Sequence, residues 1–129
     1  MVQRAQAVLN ALESPDAELS IMIVDDAYIA ELNKQYLNRS GPTNVIAFPM
    51  RVGDCSDIAP NLLGDVVISA ETARREAQAA GISFSLRLSE LLVHGVLHLF
   101  GYDHERSEQE FDRMQKKSDA LLRIIEGVA

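Results

Sequence analysis

The chain predicts an α+β fold, a small mixed β-sheet packed with helices, and three observations carry that expectation. Short β-branched runs at residues 19–24, 44–48 and 62–69 alternate with segments of helical periodicity. After residue 70 only helical patterns follow, so the extra helices must pack on the sheet rather than cross between its strands. The segment 84–100 is apolar on most sides through its second half, which places it in the middle of the domain. A length of 129 residues suits one domain, 1–129, with its own hydrophobic core.

In order along the chain, residues 2–12 form a short helix with Val8, Leu9 and Leu12 as its buried stripe, stopped by Ser14-Pro15-Asp16. Residues 19–24 give a buried strand. Asp25 and Asp26 stand where an N-cap belongs, and the helix they open runs through Tyr36, with Ile29, Leu32 and Tyr36 on its apolar face. A Gly/Pro/Ser/Asn loop at 38–43 leads into the strand 44–48, placed at a sheet edge because Pro49 has no amide hydrogen to donate. A second polar loop covers 53–61. In the third strand, 62–69, Gly64 marks a bulge or the close approach of another backbone. Residues 70–80 form a helix ended by Gly81, Ser83 or Ser85 caps the next one, and Gly101 breaks it. Ser107 with Glu110 resembles a capping box for a last helix ending near Glu126.

Composition narrows the function. A hydrophobic share of 47% is that of a folded protein. No apolar run has membrane-span length and no signal-peptide pattern opens the chain, so a soluble, cytoplasmic protein without a membrane partner is expected. The single cysteine, Cys55, reads as a loop thiol and fits a reducing compartment. A net charge of −7 argues against unspecific nucleic-acid binding. The charge is uneven, however: residues 34–51 hold three basic residues and no acid, enough for one positive groove.

All three histidines lie in His94-Gly-Val-Leu-His98-Leu-Phe-Gly101-Tyr-Asp-His104. His94 and His98, four apart in a helix, share a face one turn apart, and His104 follows a glycine turn. Neutral imidazole is a favoured Zn²⁺ ligand, and three such ligands leave a fourth position open, as in catalytic sites. Two buried histidines also occur as packing accidents, but each then needs a hydrogen-bond partner, and three in one motif favour the metal. The spacing is that of the metzincin proteases, whose motif H-E-x-x-H-x-x-G-x-x-H carries a Glu as general base. Here Gly95 stands in place of that Glu, which separates this chain from a peptidase.

The histidine motif resembles the H-G-x-L-H-L-x-G-Y-D-H signature of the bacterial YbeY endoribonucleases. Pro42-Thr-Asn-Val-Ile-Ala-Phe-Pro49 and Leu63-Gly-Asp-Val-Val-Ile-Ser69 resemble two further segments of that family, so the likeness spans about Ile21 to Phe111. The resemblance implies a metzincin-like core with a central His-bearing helix, and Zn²⁺ or a similar divalent ion on His94, His98 and His104. It implies single-strand endoribonuclease activity in ribosomal RNA maturation, at the small-subunit 3′ end, and in ribosome quality control, with the small subunit or its assembly factors as partners. Two departures stand out. The chain starts almost at its first helix, where family members usually have a strand. Leu37 also follows Tyr36 where the family usually has Arg, with Arg39 two residues on.

Around the metal, Asp103 is the candidate base, with a turn-forming role as its alternative. Arg39, Lys34, Thr43 and Asn44 are the candidate substrate contacts. Asp65 reads equally as a site residue or a local turn device, and Arg74 and Arg75 as a solvated helix face. A metal-binding ribosome-assembly factor with little cleavage is the alternative function, and a metallopeptidase the third.

Overall fold

The strand Leu62–Ser69 is the middle of the sheet. The computed structural model describes residues 1–50, 61–102 and 107–126. Among these residues the elements are α1 (Val2–Ala11), β1 (Glu18–Val24), α2 (Asp26–Leu37), β2 (Val45–Pro49), β3 (Leu62–Ser69), α3 (Ala70–Ala80), α4 (Phe84–Leu99) and α5 (Glu108–Ile125). β3 pairs in parallel with β1 and antiparallel with β2, giving a mixed sheet of order β1-β3-β2. The α+β class stands as expected. The polar loop and Cys55 lie largely or wholly outside the described residues.

β3 is buried because both of its faces are covered. Leu63, Val66 and Ile68 face the main core, with Val8 and Leu9 of α1, Leu92, Val93, Val96 and Leu97 of α4, and Met114 and Leu121 of α5. Val67 faces the other way, into a smaller cluster with Ile29 of α2 and Ile46 of β2. Leu63 and Val66 share a face at an odd spacing because the register slips beside them: Glu18 pairs with Leu62, but Leu19 pairs with Gly64. Gly64 also lies against backbone, since a Cβ there would run into the Phe48 carbonyl oxygen and would stand 3.1 Å from Pro49 Cα. Both readings of that glycine, bulge and close approach, hold. Asp65 consequently lies on the Val67 face, away from α4.

Two expectations are corrected. The strand at 19–24 is not buried: among the described residues β1 is an outer strand beside β3, and Met22 and Ile23 are 39% and 45% exposed. Its apolar run suits two covered faces, but among the described residues the sheet ends there. Tyr36 is not on a buried face either, being 65% exposed with its ring edge-on to Phe48 at 5.6 Å. The buried residue in that last turn is Asn33, whose Nδ2 donates to Gly41 O at 3.0 Å and whose carbonyl accepts from Arg39 N at 3.2 Å. Those two bonds pin the loop after α2. Along α1, Ala5, Val8 and Leu9 are buried, while Leu12 lies just past the helix end.

Helix ends follow the sequence closely. Asp25 caps α2 by accepting from Tyr28 N at 2.8 Å. Asp26 does something else: its carboxylate accepts from the Ser69 and Thr72 hydroxyls, both at 2.6 Å, and pairs with Arg75 at 2.9 Å. The start of α2 is thereby tied to the start of α3. Ser83 rather than Ser85 caps α4, accepting from Leu86 N at 3.0 Å, and Ser107 caps α5 by accepting from Glu110 N at 3.1 Å. Gly81 and Gly101 end α3 and α4 with φ of 69° and 95°. No single helix among the described residues is long and apolar enough to cross a membrane.

Candidate active site

From Leu91 to Leu99 every residue of α4 is buried except His94 and His98. An apolar helix surrounded by sheet and helices leaves one stripe open, and the i, i+4 pair occupies it. The stripe forms the floor of a cleft of about 800 Å³, within the usual range for ligand sites. The walls come from the end of α2 (Leu37, Arg39), the approach to β2 and the strand itself (Thr43 to Ala47, Pro49), and Gly101 and Tyr102 after α4.

The two imidazoles meet tip to tip. His94 Nε2 and His98 Nε2 are 3.0 Å apart, with ring centroids at 4.5 Å and planes at 77°. That contact satisfies a hydrogen bond between one protonated and one bare nitrogen. It also suits two ligands of one ion, since tetrahedral Zn–N bonds of 2.0–2.1 Å put neighbouring nitrogens roughly 3.3 Å apart. Two neutral nitrogen donors converging at a cleft floor fit a borderline-soft divalent metal. Among the described residues no group of three His, Cys, Asp or Glu side chains converges. His104, the third expected ligand, and Asp103, the candidate base, both lie outside the described residues.

α4 reaches the sheet at Gly95. A Cβ there would stand 2.7 Å from Val66 Cγ1 and 3.3 Å from Val45 Cγ2. The position that carries the base in metzincins is therefore packed on β3 and β2, and a carboxylate has no room there.

Arg39, Thr43 and Asn44 all line the cleft, and Leu37 does too. Arg39 is brought there by the Asn33 bonds that pin its loop. Lys34, on the exposed side of α2, is not among the lining residues. Arg39 is the one formal cation of the described lining, which holds no carboxylate, a local balance opposite to the protein's −7. Such a cleft favours an anion.

Sequence reasoning assigned no role to Tyr102 or to the groups behind Asn44. Tyr102 lines the cleft with Arg113 of α5 stacked 4.8 Å from its ring centroid. Asn44 Nδ2 lies 3.3 Å from both Glu76 oxygens, and Glu76 is held by Arg87, which also reaches Glu90. Tyr102 lies inside the histidine motif and was visible in principle. The Asn44 chain joins residues 32 positions apart, with no local signal.

Comparison with known proteins agrees with this architecture. The family model for "Endoribonuclease YbeY" matches residues 1–126. A protein of Geobacter sulfurreducens named Endoribonuclease YbeY is 51% identical over 124 residues, covering 95% of this chain and 83% of the relative. One of Syntrophotalea carbinolica with the same name is 52% identical over 118 residues, covering 92% and 79%. The solution structure of TM1509 from Thermotoga maritima superposes with a TM-score of 0.70 at 25% identity, covering 98% of this chain and 79% of that one. By its histidine helix, its mixed sheet and a family match along nearly its whole length, this chain belongs to the YbeY endoribonuclease family.

Proposed function

We propose that the chain is a zinc-dependent endoribonuclease cutting single-stranded ribosomal RNA, in small-subunit 3′-end maturation and ribosome quality control in the cytoplasm. One ion per chain would be held by His94, His98 and His104. The observation that carries the reading is the pair of Nε2 atoms 3.0 Å apart on the floor of a cleft lined by Arg39 and, among the described residues, by no carboxylate. When bound, the metal supplies a Lewis acid and lowers the pKa of a water to about 7. The side chains do the remainder. Arg39 holds a phosphate flanking the scissile one, because a guanidinium matches two phosphate oxygens at once. Thr43 and Asn44 offer a hydroxyl and an amide to the sugar-phosphate backbone. Tyr102, fixed under Arg113, gives a base a ring to stack on. The peptidase alternative lacks its base, since Gly95 packs on Val66.

Metal analysis of purified protein, with labelled RNA and casein as substrates, tests the reading. About one divalent ion per chain is expected, with RNA cut and casein untouched, and His98→Ala should lose most of the metal. Protein never exposed to chelator that holds no stoichiometric metal would sink the proposed site. Metal-loaded protein that binds RNA but leaves it whole would be the assembly factor instead.

A further inference from the structure

Asn44 stands at a junction. It lines the cleft together with His94, and both also line a smaller cavity of about 280 Å³ behind it. Its side-chain nitrogen faces Glu76, 3.3 Å from each carboxylate oxygen. A carboxylate only accepts, so the amide cannot be turned with its oxygen toward Glu76. Glu76 is itself fixed: Arg87 donates to its Oε1 from Nε at 3.1 Å and from Nη2 at 2.9 Å. The other arm of Arg87 donates to Glu90 at 2.9 Å, one turn before His94 on α4. Burial pulls the Arg87 pKa down, but the hydrogen bonds and charges of Glu90 and Glu76 outweigh that and leave it raised. The backbone of Asn44 is held too, since its carbonyl accepts from Ser69 N at 2.9 Å.

The clamp decides what Asn44 presents. The nitrogen side of the amide is held against Glu76, which fixes the direction of Oδ1, the acceptor of the side chain. Beside a phosphate lying over His94, the nearest donor on a nucleic-acid strand is the hydroxyl of the adjoining sugar, and base edges lie farther off. We infer that Asn44 Oδ1 accepts from a ribose 2′-hydroxyl and so selects RNA over DNA, with Glu76 and Arg87 as positioning residues that keep the amide from flipping. The inference rests on the RNA reading above and assigns its sugar specificity to one atom. The 2′-hydroxyl is the group by which a protein tells the two polymers apart at a given site.

The test measures the affinity of purified protein for single-stranded oligonucleotides of one sequence. They carry ribose, 2′-fluoro or 2′-deoxy sugars on phosphorothioate linkages that resist cutting. The 2′-fluoro sugar keeps size and polarity but has no proton to donate. Wild type should prefer ribose over both others. Asn44→Ala should reduce that ratio by about three- to tenfold, the worth of one hydrogen bond. Glu76→Gln, which lets the amide turn, should reduce the ratio in the same way while the acceptor is still present. A purely structural role for Asn44 or Glu76 would lower affinity for all three strands alike, and that result overturns the assignment. So would a wild type that binds ribose and 2′-fluoro strands equally. Failure of wild type to bind any of the strands would instead refute the RNA reading on which this one stands.

Discussion

Gly95→Ala is the sharpest probe of how α4 is seated. Two effects of opposite sign compete. In an open helix, Ala is better than Gly by about 1 kcal/mol, from backbone entropy. Here the new methyl would stand 2.7 Å from Val66 Cγ1, 3.2 Å from Val66 Cγ2 and 3.3 Å from Val45 Cγ2. Carbon–carbon contact needs about 3.5–4.0 Å, so the closest approach falls short by nearly 1 Å. Val66 cannot move aside: it is fully buried, stiff at χ1, and its second methyl is crowded as well. Overpacking of this kind costs about 1–3 kcal/mol, and three crowded methyls put the cost in the upper half of that range. The net expectation is a loss of about 1–2 kcal/mol, read by urea denaturation. Val66→Ala alone should cost about 2–3 kcal/mol for its two buried methyls and the cavity left behind. In the Gly95→Ala background it should cost about 1–2 kcal/mol less, because the alanine methyl fills the vacated space. A Gly95→Ala protein more stable than wild type, or a Val66→Ala cost identical in both backgrounds, would refute this seating of the helix.

Two further outcomes come from charged groups. The Ser69 and Thr72 hydroxyls, ahead of Arg75, hold the Asp26 carboxyl down from 3.8 to about 2. A lowered folded pKa makes the contribution full above the unfolded value and lost as pH falls through the folded one. The gap in urea midpoint between wild type and Asp26→Asn should thus be constant at neutral pH and close between about pH 4 and pH 2; a gap independent of pH would remove Asp26 from the clamp. Arg39→Ala should weaken RNA binding whatever the sequence and lower the salt slope by about one phosphate contact, with Leu37→Arg restoring much of it. An unchanged slope would take Arg39 out of the strand's path.

Local features were legible in the sequence because they are local. The span of β3, the helix after it, its glycine stop, the Ser107 cap and a serine cap at 83 or 85 each depend on a few adjacent residues. The histidine pair was legible for the same reason: four-residue spacing in a helix dictates a shared face. What failed depends on neighbours distant in the chain. The run at 19–24 is apolar enough for a buried strand, and only the sheet order makes it an edge. Asp65 would share the Leu63 face in a regular strand, and the register slip beside Gly64 moves it to the other. Tyr36, three residues from the buried Asn33 on the same helix, is still 65% exposed, its ring meeting Phe48 edge-on rather than being covered. The Asn44–Glu76–Arg87 chain, across loop, α3 and α4, has no periodicity to betray it.

The close seating at Gly95 links fold to chemistry. It brings Val45 of β2 against α4, so the histidine pair opens beside a strand that is outermost among the described residues, and β2 becomes one wall of the cleft. A groove along an outer strand suits any extended polymer, because such a strand carries backbone groups with no partner strand. The choice between peptide and RNA must then come from side chains. A metal-assisted peptidase of this spacing needs a carboxylate at the residue after the first histidine, and the contact that forms the groove leaves that position no room for one. Under the proposed reading, RNA instead needs positive charge along the groove, and uncharged ligands would leave the charge of a bound metal uncancelled. Arg39, carried in by the pinned loop after α2, supplies that positive charge, and the histidine pair would supply such ligands. Seating the helix by a glycine therefore shapes the groove and leaves no room for the peptidase base in one step.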